Sequence, residues 1–306
     1  GVIWTTSEWP LYGRFGGGVS SFKASYEINK NRVKLNTQTS KKYEITTLVD
    51  AKKTFIDLHN QTASNSIGGV QRNIKYWDVV FSKLISGKSL DALDNVSNNT
   101  VPLACITYDS ENNPNGCIIF NINNDWKNDI YNRKLNVLFF VNKNLEGYLL
   151  LWDFLLSIDL VENIILPHRP INEPIRWHIN DGRRLITNCI SDHVWFRLID
   201  IKKCLELLTF PKTTSPIIKI NDNLSLCSQE PFIIKSDGFT TNVSYFKNKK
   251  PDIIIDIQLF SSIIFGGVSL LDIYDPTKIS LTNKTDLIKI AFLFKQNYTP
   301  FSDTYF

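Results

Sequence analysis

The sequence Leu11-Tyr12-Gly13-Arg14-Phe15-Gly16 lies near the start of the chain, directly after the short extended run Val2-Ile3-Trp4-Thr5-Thr6. Because glycines flank the Arg-Phe pair that follows the tyrosine, we expect Tyr12 to lie on a sharp bend between a strand and a loop. A phenol held on such a bend is able to donate a proton. The opposite end of the chain is also aromatic, since the last residue is Phe306.

The composition is that of an ordinary globular protein. The 306 residues are 43% hydrophobic and 21% charged, and this length favours two domains over one. The net charge of +4 is small and spread along the chain, so no nucleic-acid partner is expected. No apolar stretch reaches the roughly 18 residues of a membrane span, and the first residues lack a signal-peptide pattern. We therefore expect a cytoplasmic protein with no membrane partner.

The cysteines and histidines indicate neither a disulfide framework nor a metal site. The five cysteines form no Cys-x-x-Cys pair and lie mostly in apolar runs, so we expect reduced core thiols. The four histidines are scattered, with no cysteine or carboxylate at ligand spacing, so no metal is expected. The chain contains no methionine. This predicts either a fragment or a sequence from which modified methionines are missing.

The first half of the chain alternates strand and helix patterns after a polar stretch rich in Lys and Asn. Apolar residues at helical spacing predict a helix over 48–58, a second helix after Gly68-Gly69 and a third over 146–156. The predicted strands are 103–108, 116–121, 135–141 and 161–166. This β-α-β series predicts an α/β domain over residues 23–170.

A proline-rich segment, Pro167-His168-Arg169-Pro170, predicts a boundary, and we expect residues 171–190 to form a linker. Beyond it, the predicted strands are 194–198, 216–220, 231–235 and 240–246, with a helix capped by Asp200 and a last helix over 286–294. We expect an α+β domain over residues 191–306. Residues 1–22 are expected to be the end of a domain whose beginning is missing, because one strand and a turn cannot bury a face alone.

Five segments, taken in order, resemble one family. Ser7-Glu8 with Leu11-Tyr12-Gly13-Arg14-Phe15-Gly16 resembles the end of the first acetyltransferase domain in the enhanced intracellular survival proteins, a branch of the Gcn5-related N-acetyltransferases (GNAT). The other four are Gly68-Gly69-x-x-Arg72 with Trp77, then 192–200, then 252–256 with 265–270, and finally Phe306. The resemblance spans the whole chain and is dense only in these segments.

The resemblance implies a mixed α/β and α+β protein. Its parts are tandem GNAT-like acetyltransferase domains, the first truncated here, followed by a sterol carrier protein 2-like domain. It further implies an N-acetyltransferase that uses acetyl-CoA as co-substrate, an aminoglycoside-like or a lysine- or polyamine-like amine as acceptor, and a hexamer. The last residue is implied to fold back into the active site of the first domain.

The resemblance also assigns two catalytic residues. Tyr12 is the general acid, and the free carboxylate of Phe306 is the general base. A chain-terminal carboxyl has an unperturbed pKa of about 3.3–3.7, so the site must raise that pKa by burial or act through a water molecule. The rings of Phe306, Tyr305 and Phe301 are expected to anchor the tail in an apolar pocket.

Other assignments keep an alternative. Ser7 and Glu8 match positions along the thiol arm of coenzyme A, or they form an exposed strand end. Trp77 matches a wall of the acceptor pocket, or it is a core residue. Tyr305 occupies a position near the acceptor where some relatives carry an acidic residue, so weak aminoglycoside affinity is expected.

The glycine run Gly16-Gly17-Gly18 lacks the spacing of a phosphate-binding loop, so we expect a flexible turn. Relatives commonly carry a second aromatic residue at the position of Gly17. The basic, glycine-containing loop that cradles the pyrophosphate is expected upstream of Gly1. Two other functions stay open: a lipid or sterol carrier built on the last domain, and a scaffold without transferase activity.

Overall fold

The structure, a computed structural model, describes residues 1–88, 101–123, 126–127, 130–131 and 133–304. The chain divides into two compact units. Unit 1 consists of Gly1–Phe22 and Asp192–Pro300. Unit 2 consists of Lys23–Ser191 together with the described tail residues 301–304.

Strands and helices are numbered along the chain. The strands are β1 (Val2–Trp4), β2 (Gly18–Val19), β3 (Phe22–Asn29), β4 (Tyr43–Thr46), β5 (Leu103–Tyr108), β6 (Pro114–Asn123), β7 (Trp126–Lys127), β8 (Ile130–Tyr131), β9 (Lys134–Asn142), β10 (Asn163–Arg169), β11 (Leu185–Asp192), β12 (Trp195–Arg197), β13 (Thr213–Thr214), β14 (Ile218–Asn221), β15 (Phe232–Ser236), β16 (Thr241–Tyr245), β17 (Ile253–Asp256) and β18 (Ile279–Leu281). The helices are α1 (Trp9–Gly13), α2 (Leu48–Ser64), α3 (Ile74–Ile85), α4 (Leu145–Ser157), α5 (Ile201–Glu206), α6 (Ile257–Ile263) and α7 (Lys284–Leu293).

Unit 2 is built on a seven-stranded sheet with the strand order β11-β3-β10-β9-β6-β5-β4. Strands β9 and β10 are parallel, and α4 joins them. The predicted β-α-β series is therefore confirmed at this point. The other pairs from β3 to β4 in this order are antiparallel.

Helices cover both faces of this sheet. Successive residues of β6 alternate between two cores: Cys117 and Ile119 face α2 and α3, whereas Ile118 and Phe120 face α4. This alternation follows from the two-residue period of a strand. Unit 2 thus has three layers, with the sheet in the middle.

Helix α2 is longer than the sequence predicted. It begins after Thr47, whose side chain accepts a hydrogen bond from the Asp50 amide, and it continues to Ser64 rather than ending near residue 58. The extension carries one buried stripe, since Phe55, His59 and Ala63 recur every four residues and all are buried. His59 is thereby placed inside the protein.

The stretch from 23 to 47 contains two strands that the sequence analysis did not predict. In β3, Ala24, Tyr26 and Ile28 are almost completely buried and alternate with more exposed polar residues. This is the pattern of a strand with one buried face. β4 adds the last strand at the β5 edge of the sheet.

The proline-rich segment does not break the chain as predicted. Pro167, His168 and Arg169 belong to β10, and the pairing of β10 with β3 shifts register between Leu166 and Arg169. A bulge tolerates proline because the irregular pairing does not need its missing N–H. Residues 171–190, the expected linker, contain two 3-10 turns and most of β11 within unit 2.

Unit 1 combines two sheets. β12 lies between β1 and β2 and pairs antiparallel with both. The second sheet has the order β13-β15-β14-β17-β18, with β16 paired to β15. Helix α5 begins at Asp200, whose side chain accepts from the Lys203 amide, so the predicted cap is confirmed. Residues Phe232, Phe260 and Phe294 meet edge to face in the core, with ring centroids 5.4 to 6.3 Å apart.

The five cysteines are free. Cys105, Cys117 and Cys227 are buried, as predicted for core thiols. The prediction is wrong for Cys189, which is exposed on β11 at the edge of the seven-stranded sheet. Within the described part of the chain, every helix is too short or too polar to cross a membrane.

Candidate functional site

Tyr12 lies in helix α1, not on the strand-to-loop bend that the sequence predicted. Pro10 sits in the first turn of this helix, where its missing N–H has no intrahelical partner to lose. The helix is only five residues long because the chain then turns back. The carbonyl oxygen of Tyr12 accepts hydrogen bonds from the amides of Phe15 at 3.0 Å and Gly17 at 3.4 Å. The tyrosine backbone is thus fixed by the turn that follows it.

The glycine run after this turn is tightly packed, which corrects the prediction of a flexible turn. Gly16 has a φ of +75°, and a Cβ there would lie 2.9 Å from Nε of Arg197. A Cβ at Gly18 would lie 2.2 Å from Oγ of Ser262 on α6. The three glycines are buried, and Gly18 begins β2. Glycine is required at these positions because any side chain would collide with its neighbours.

Trp4 occupies the space next to Gly17. A Cβ at Gly17 would lie 2.4 Å from Cζ2 of Trp4, and the rings of Trp4 and Tyr12 have centroids 5.9 Å apart. An aromatic ring therefore packs beside Tyr12 even though position 17 has no side chain. In this chain the ring comes from β1.

A buried ion pair between Arg197 and Asp222 packs against the turn that follows Tyr12. Nη2 of Arg197 lies 2.8 Å from each carboxylate oxygen of Asp222, and the two side chains are only 4% and 1% exposed. Nη1 of Arg197 donates to the Leu198 carbonyl at 2.5 Å. Burial alone would raise the pKa of Asp222, but hydrogen bonds from Arg197 and the Cys227 amide hold it below its ordinary value. Asp222 therefore stays charged beneath the turn.

Ser7 and Glu8 are exposed. The amide of Glu8 donates to Oγ1 of Thr6 at 3.1 Å, and that hydroxyl donates to the Glu8 carbonyl at 3.0 Å. The Glu8 backbone is extended and leads directly into α1. Both residues thus precede the helix that carries Tyr12, with their side chains open to solvent.

An open cleft of about 440 Å³ lies beside α1 in unit 1. It is lined by Trp9, Pro10, Gly13, Arg14, Gln258 and Lys278. Nζ of Lys278 donates to Oε1 of Gln258 at 3.1 Å. Neither Gln258 nor Lys278 could be identified from the sequence, because both lie more than 240 residues from α1 and match no motif.

Trp77 is completely buried. Its ring packs against Phe55 at 5.1 Å and His59 at 4.7 Å between centroids, among the residues that cover one face of the seven-stranded sheet. This burial is accounted for by the alternative that Trp77 is a core residue. It gives no support to the acceptor-wall interpretation.

Tyr305 and Phe306 lie outside the described residues, and the tail before them makes two contacts that the sequence analysis missed. Nε2 of His59 lies 2.8 Å from Oδ1 of Asp303, and Nε2 of His168 lies 2.8 Å from the Ser302 carbonyl oxygen. The stripe of α2 residues at four-residue spacing was the one available signal for His59. Nothing in the sequence indicated the partner of either histidine.

Unit 2 also contains a buried polar network. Nε of Arg169 donates to Oε2 of Glu173 at 2.6 Å, and the Tyr148 hydroxyl donates to Oε1 of the same carboxylate. Nη1 of Arg169 reaches the Phe140 carbonyl on β9 at 3.3 Å. Burial and the Glu173 carboxylate raise the pKa of Tyr148 well above its ordinary value. Arg169 thus links the ends of the parallel strands β9 and β10.

The start of α4, which follows β9, does not suit a diphosphate. The Asn144 side chain accepts from the Gly147 amide at 2.9 Å, and Glu146 places a carboxylate in the first turn. A Cβ at Gly147 would lie 2.2 Å from the Asn115 carbonyl oxygen, so the helix is pressed onto the neighbouring loop. Anion sites at helix starts need free amides and no negative charge. The residues of unit 2 therefore do not fit the pyrophosphate of coenzyme A at this helix.

Residues 68–198 match the family model described as an acetyltransferase (GNAT) domain. Over this range the chain is similar to a GNAT acetyltransferase domain. The matched range begins in the loop before α3 and ends directly after β12. This match agrees with the sequence prediction of a GNAT-like domain in this part of the chain.

Proteins with similar sequences are named as N-acetyltransferases. An uncharacterized N-acetyltransferase of Streptomyces griseus is 21% identical over 280 residues, which are 88% of this chain and 64% of that protein. An uncharacterized N-acetyltransferase of Streptomyces coelicolor is 21% identical over 283 residues, 88% of this chain and 63% of that protein. The chain thus spans less than two thirds of the length of these relatives.

Solved structures share the fold. The crystal structure of Eis1 from Mycobacterium abscessus superposes with a TM-score of 0.82 at 22% identity, covering 99% of this chain and 73% of that one. A GCN5-related N-acetyltransferase from Anabaena variabilis gives a TM-score of 0.78 at 16% identity, covering 99% and 72%. The fold shared with Eis1 therefore includes unit 1 as well as residues 68–198.

The histidines, cysteines and acidic residues of the described ranges form no group of three that could hold a metal ion.

Proposed function

We propose that this chain carries the catalytic residues of an acetyl-CoA-dependent N-acetyltransferase that acts on a primary amine. The observation that carries this proposal is the fold shared with Eis1 over 99% of the chain. Because the chain covers only part of its relatives, we propose that the pyrophosphate of coenzyme A is bound by residues outside this sequence. Ser7 and Glu8, exposed next to α1, would line the thiol arm.

In the proposed reaction, the acceptor amine attacks the carbonyl carbon of the thioester. The C–N bond forms, the C–S bond breaks, and the leaving thiolate takes the proton of the Tyr12 hydroxyl. A free phenol is a weaker acid than a free thiol by about 1.5 pKa units, so this transfer costs about 2 kcal/mol before the site adjusts either group. The carboxylate of Phe306 takes the proton that the amine loses.

The packing around Tyr12 supports its role. A general acid works only when it is held within hydrogen-bond reach of the atom that it protonates. The turn from Tyr12 to Gly17 holds the backbone of Tyr12 by two hydrogen bonds, and the ring of Trp4 packs against the Tyr12 ring. Such restriction is what preorganised catalysis requires.

The acceptor is proposed to be a lysine- or polyamine-like amine, with aminoglycosides as weaker substrates. Tyr305, next to the base, would contribute an aromatic contact to this site rather than a negative charge. A hexamer is proposed as the assembly, and a sterol carrier protein 2-like fold is proposed for the part of unit 1 after β12.

The alternative of a lipid carrier is less well supported. A carrier needs an apolar cavity, but the core of unit 1 is occupied by side chains such as Phe232, Phe260 and Phe294 in edge-to-face contact. These three side chains are almost completely buried.

The test compares Tyr12→Phe with wild type in the complete gene product, by following thiol release from acetyl-CoA with a polyamine as acceptor. We expect kcat to fall about 100-fold or more with little change in KM, because general acid catalysis is lost while binding is retained. Tyr298→Phe is the matched control, since Tyr298 is 77% exposed in the same unit. Full turnover in Tyr12→Phe would contradict the assignment of the acid.

A second variant tests the base. Adding three residues after Phe306 moves the terminal carboxylate away from its proposed position. We expect kcat to fall by a similar factor. An extended chain that keeps the turnover of wild type would contradict the proposed base.

A further inference from the structure

We propose that unit 2 is a receptor for the C-terminal segment of the chain, and that His59 and His168 are its two positioning residues. The evidence for docking is a set of contacts between this segment and other residues of unit 2. Its consequence for catalysis rests on the proposed function, because the segment carries the carboxylate that is proposed as the base.

Three successive tail residues, Phe301, Ser302 and Asp303, are each held by a polar contact with the rest of unit 2. The Phe301 amide donates to the Ile67 carbonyl at 3.0 Å. Nε2 of His168 meets the Ser302 carbonyl at 2.8 Å, and Nε2 of His59 meets the Asp303 carboxylate at 2.8 Å. A carbonyl or carboxylate oxygen only accepts, so both imidazoles must carry their proton on Nε2. The two histidines therefore donate hydrogen bonds, and the tail supplies the acceptors.

The docked tail is buried to a degree that a loosely attached terminus is not. Ser302 and Thr304 have no exposed surface, and their hydroxyl oxygens lie 3.1 Å apart. The ring of Phe301 packs on His168 with centroids 5.2 Å apart. His59, on the receptor side, also has no exposed surface. Burying polar groups of this kind is favourable only when their hydrogen bonds are made.

The loop before α3 shapes the receptor. Asn60 fixes this loop, because its amide nitrogen donates to the Arg72 carbonyl at 3.1 Å and its oxygen accepts from the Arg72 amide at 3.0 Å. Gly68 has a φ of +84°, and a Cβ at Gly69 would lie 2.4 Å from the Ala63 carbonyl oxygen. The segment Gly68-Gly69-x-x-Arg72 thus keeps this loop close to α2, where Ile67 can meet the tail.

Charge complements these hydrogen bonds. Burial lowers the pKa of Arg72, and the Asp303 carboxylate acts in the opposite direction. The same carboxylate contributes to the raised pKa of Arg169. Asp303 therefore interacts with positive charge as well as with the His59 imidazole, and both interactions favour docking.

Phe306, whose carboxylate is the proposed base, is the third residue after Asp303. Three extended residues span about 10 Å at most, so an anchored aspartate limits the volume that the carboxylate of Phe306 can sample. Loss of the anchor would let the Phe306 carboxylate sample a larger volume, although the carboxylate itself would still be present. We therefore expect variants of the anchor to lower kcat while KM is retained.

The docking is tested on the full chain by carboxypeptidase digestion, followed by intact mass. His59→Leu keeps the volume of the side chain and removes its donor, whereas His59→Gln keeps a donor at the position of Nε2. We expect release of residues 301–304 to be about tenfold faster or more in His59→Leu, because a hydrogen bond to a charged group contributes about 1.5–3 kcal/mol. His59→Gln should approach wild type.

Two further variants separate docking from core stability. Asp303→Ala changes only the tail, at a side chain that is 19% exposed, and should accelerate digestion as His59→Leu does. His178→Leu is the control, because His178 is a half-buried histidine of unit 2 whose ring contact is with Tyr148. Digestion of His178→Leu should match wild type.

The outcomes distinguish the two proposals. Wild-type digestion rates in both His59→Leu and Asp303→Ala would overturn the docking. Faster digestion with unchanged turnover would uphold the docking and refute the carboxylate of Phe306 as the base. Faster digestion with a lower kcat, restored in His59→Gln, would support both.

Discussion

The Arg197 guanidinium and the Asp222 carboxylate form an ion pair that lies beneath the turn after Tyr12, with Nη2 2.8 Å from both oxygens. Gly16 provides the connection, since its Cα approaches Arg197 so closely that no Cβ fits. The ion pair therefore packs against the turn that follows Tyr12, the proposed acid.

Asp222→Asn should destabilise unit 1 strongly. Removing one partner of a buried pair leaves the Arg197 charge uncompensated, which costs about 3–5 kcal/mol. Urea unfolding followed by tryptophan fluorescence measures the change. The control is Asp57→Asn, because Asp57 pairs with Lys53 at an exposed position where both side chains are more than 60% exposed. If the two variants lose the same stability, the buried pair has no special role.

The same pair predicts a pH dependence. The pKa of Asp222 is lower in the folded state than its ordinary value of 3.8. Its contribution to stability is therefore fully present above the unfolded-state pKa and is lost as the pH falls through the folded-state pKa. We expect wild type to lose stability below about pH 4 more steeply than Asp222→Asn, measured by urea titrations at a series of pH values. Parallel curves would contradict the assigned pKa direction.

Gly16→Ala should cost more than a positive φ alone explains. The methyl group would collide with Arg197 and Ile257, in addition to the strain of a φ of +75°. Gly238→Ala is the matched control, because Gly238 has a φ of +101° and its nearest neighbour would be 3.9 Å from the added Cβ. We expect a loss of about 1 kcal/mol in the control, typical of the backbone strain alone, and a clearly larger loss in Gly16→Ala. Thermal unfolding of the two variants gives the comparison, and equal losses would show that the close approach is relaxed in solution.

Glu173→Gln should destabilise unit 2. The carboxylate accepts from both Arg169 and Tyr148 and has no exposed surface on its side chain, so its loss leaves a buried guanidinium unpaired. We expect a loss of about 3–5 kcal/mol. Hydrogen exchange read out on peptides from β9 and β10 would place the effect in this unit. Glu146→Gln, at an exposed position on α4, should leave exchange unchanged.

The thiols should divide into distinct classes. Burial raises the pKa of Cys105 and Cys117, and burial together with Asp222 raises the pKa of Cys227 to about 12. Only a thiolate reacts with a disulfide reagent, so these three should be unreactive in the folded protein. We expect Cys189 to react first, since it is exposed, and all five cysteines to react after unfolding. Protection of Cys189 in the folded protein would indicate that an assembly covers β11.

The parts of the fold that the sequence predicted are those with local signals. The strand pattern at 103–108 and the helix pattern at 146–156 correspond to β5 and α4 to within two residues. β3 was missed although its buried residues alternate, because the polar residues Lys23, Ser25, Glu27 and Asn29, which alternate with them, dominated the composition. A strand with one solvent-facing side is recognised by its two-residue alternation of buried and polar residues, and its average composition does not reveal it.

The candidate site was predictable only in part. The sequence predicted a flexible turn at Gly16-Gly17-Gly18, but the residues that exclude side chains there include Arg197, Ile257 and Ser262, which lie far away in the chain. His59 and Asp303 are separated by 244 positions. Pairings of this kind depend on tertiary structure, for which a single sequence carries no local pattern.

The position of β12 between β1 and β2 has a consequence for synthesis. Residues 1–22 cannot complete their sheet until the ribosome has made residues 195–197 and these have emerged, which takes about 10–40 s at 5–20 residues per second. During that interval most residues of unit 2 are available for folding. Val2 and Ile3 remain unpaired, because β12 has not yet been made. The nascent chain therefore presents an unpaired apolar edge for tens of seconds, and this is the stage at which a chaperone would be expected to influence the yield of native protein.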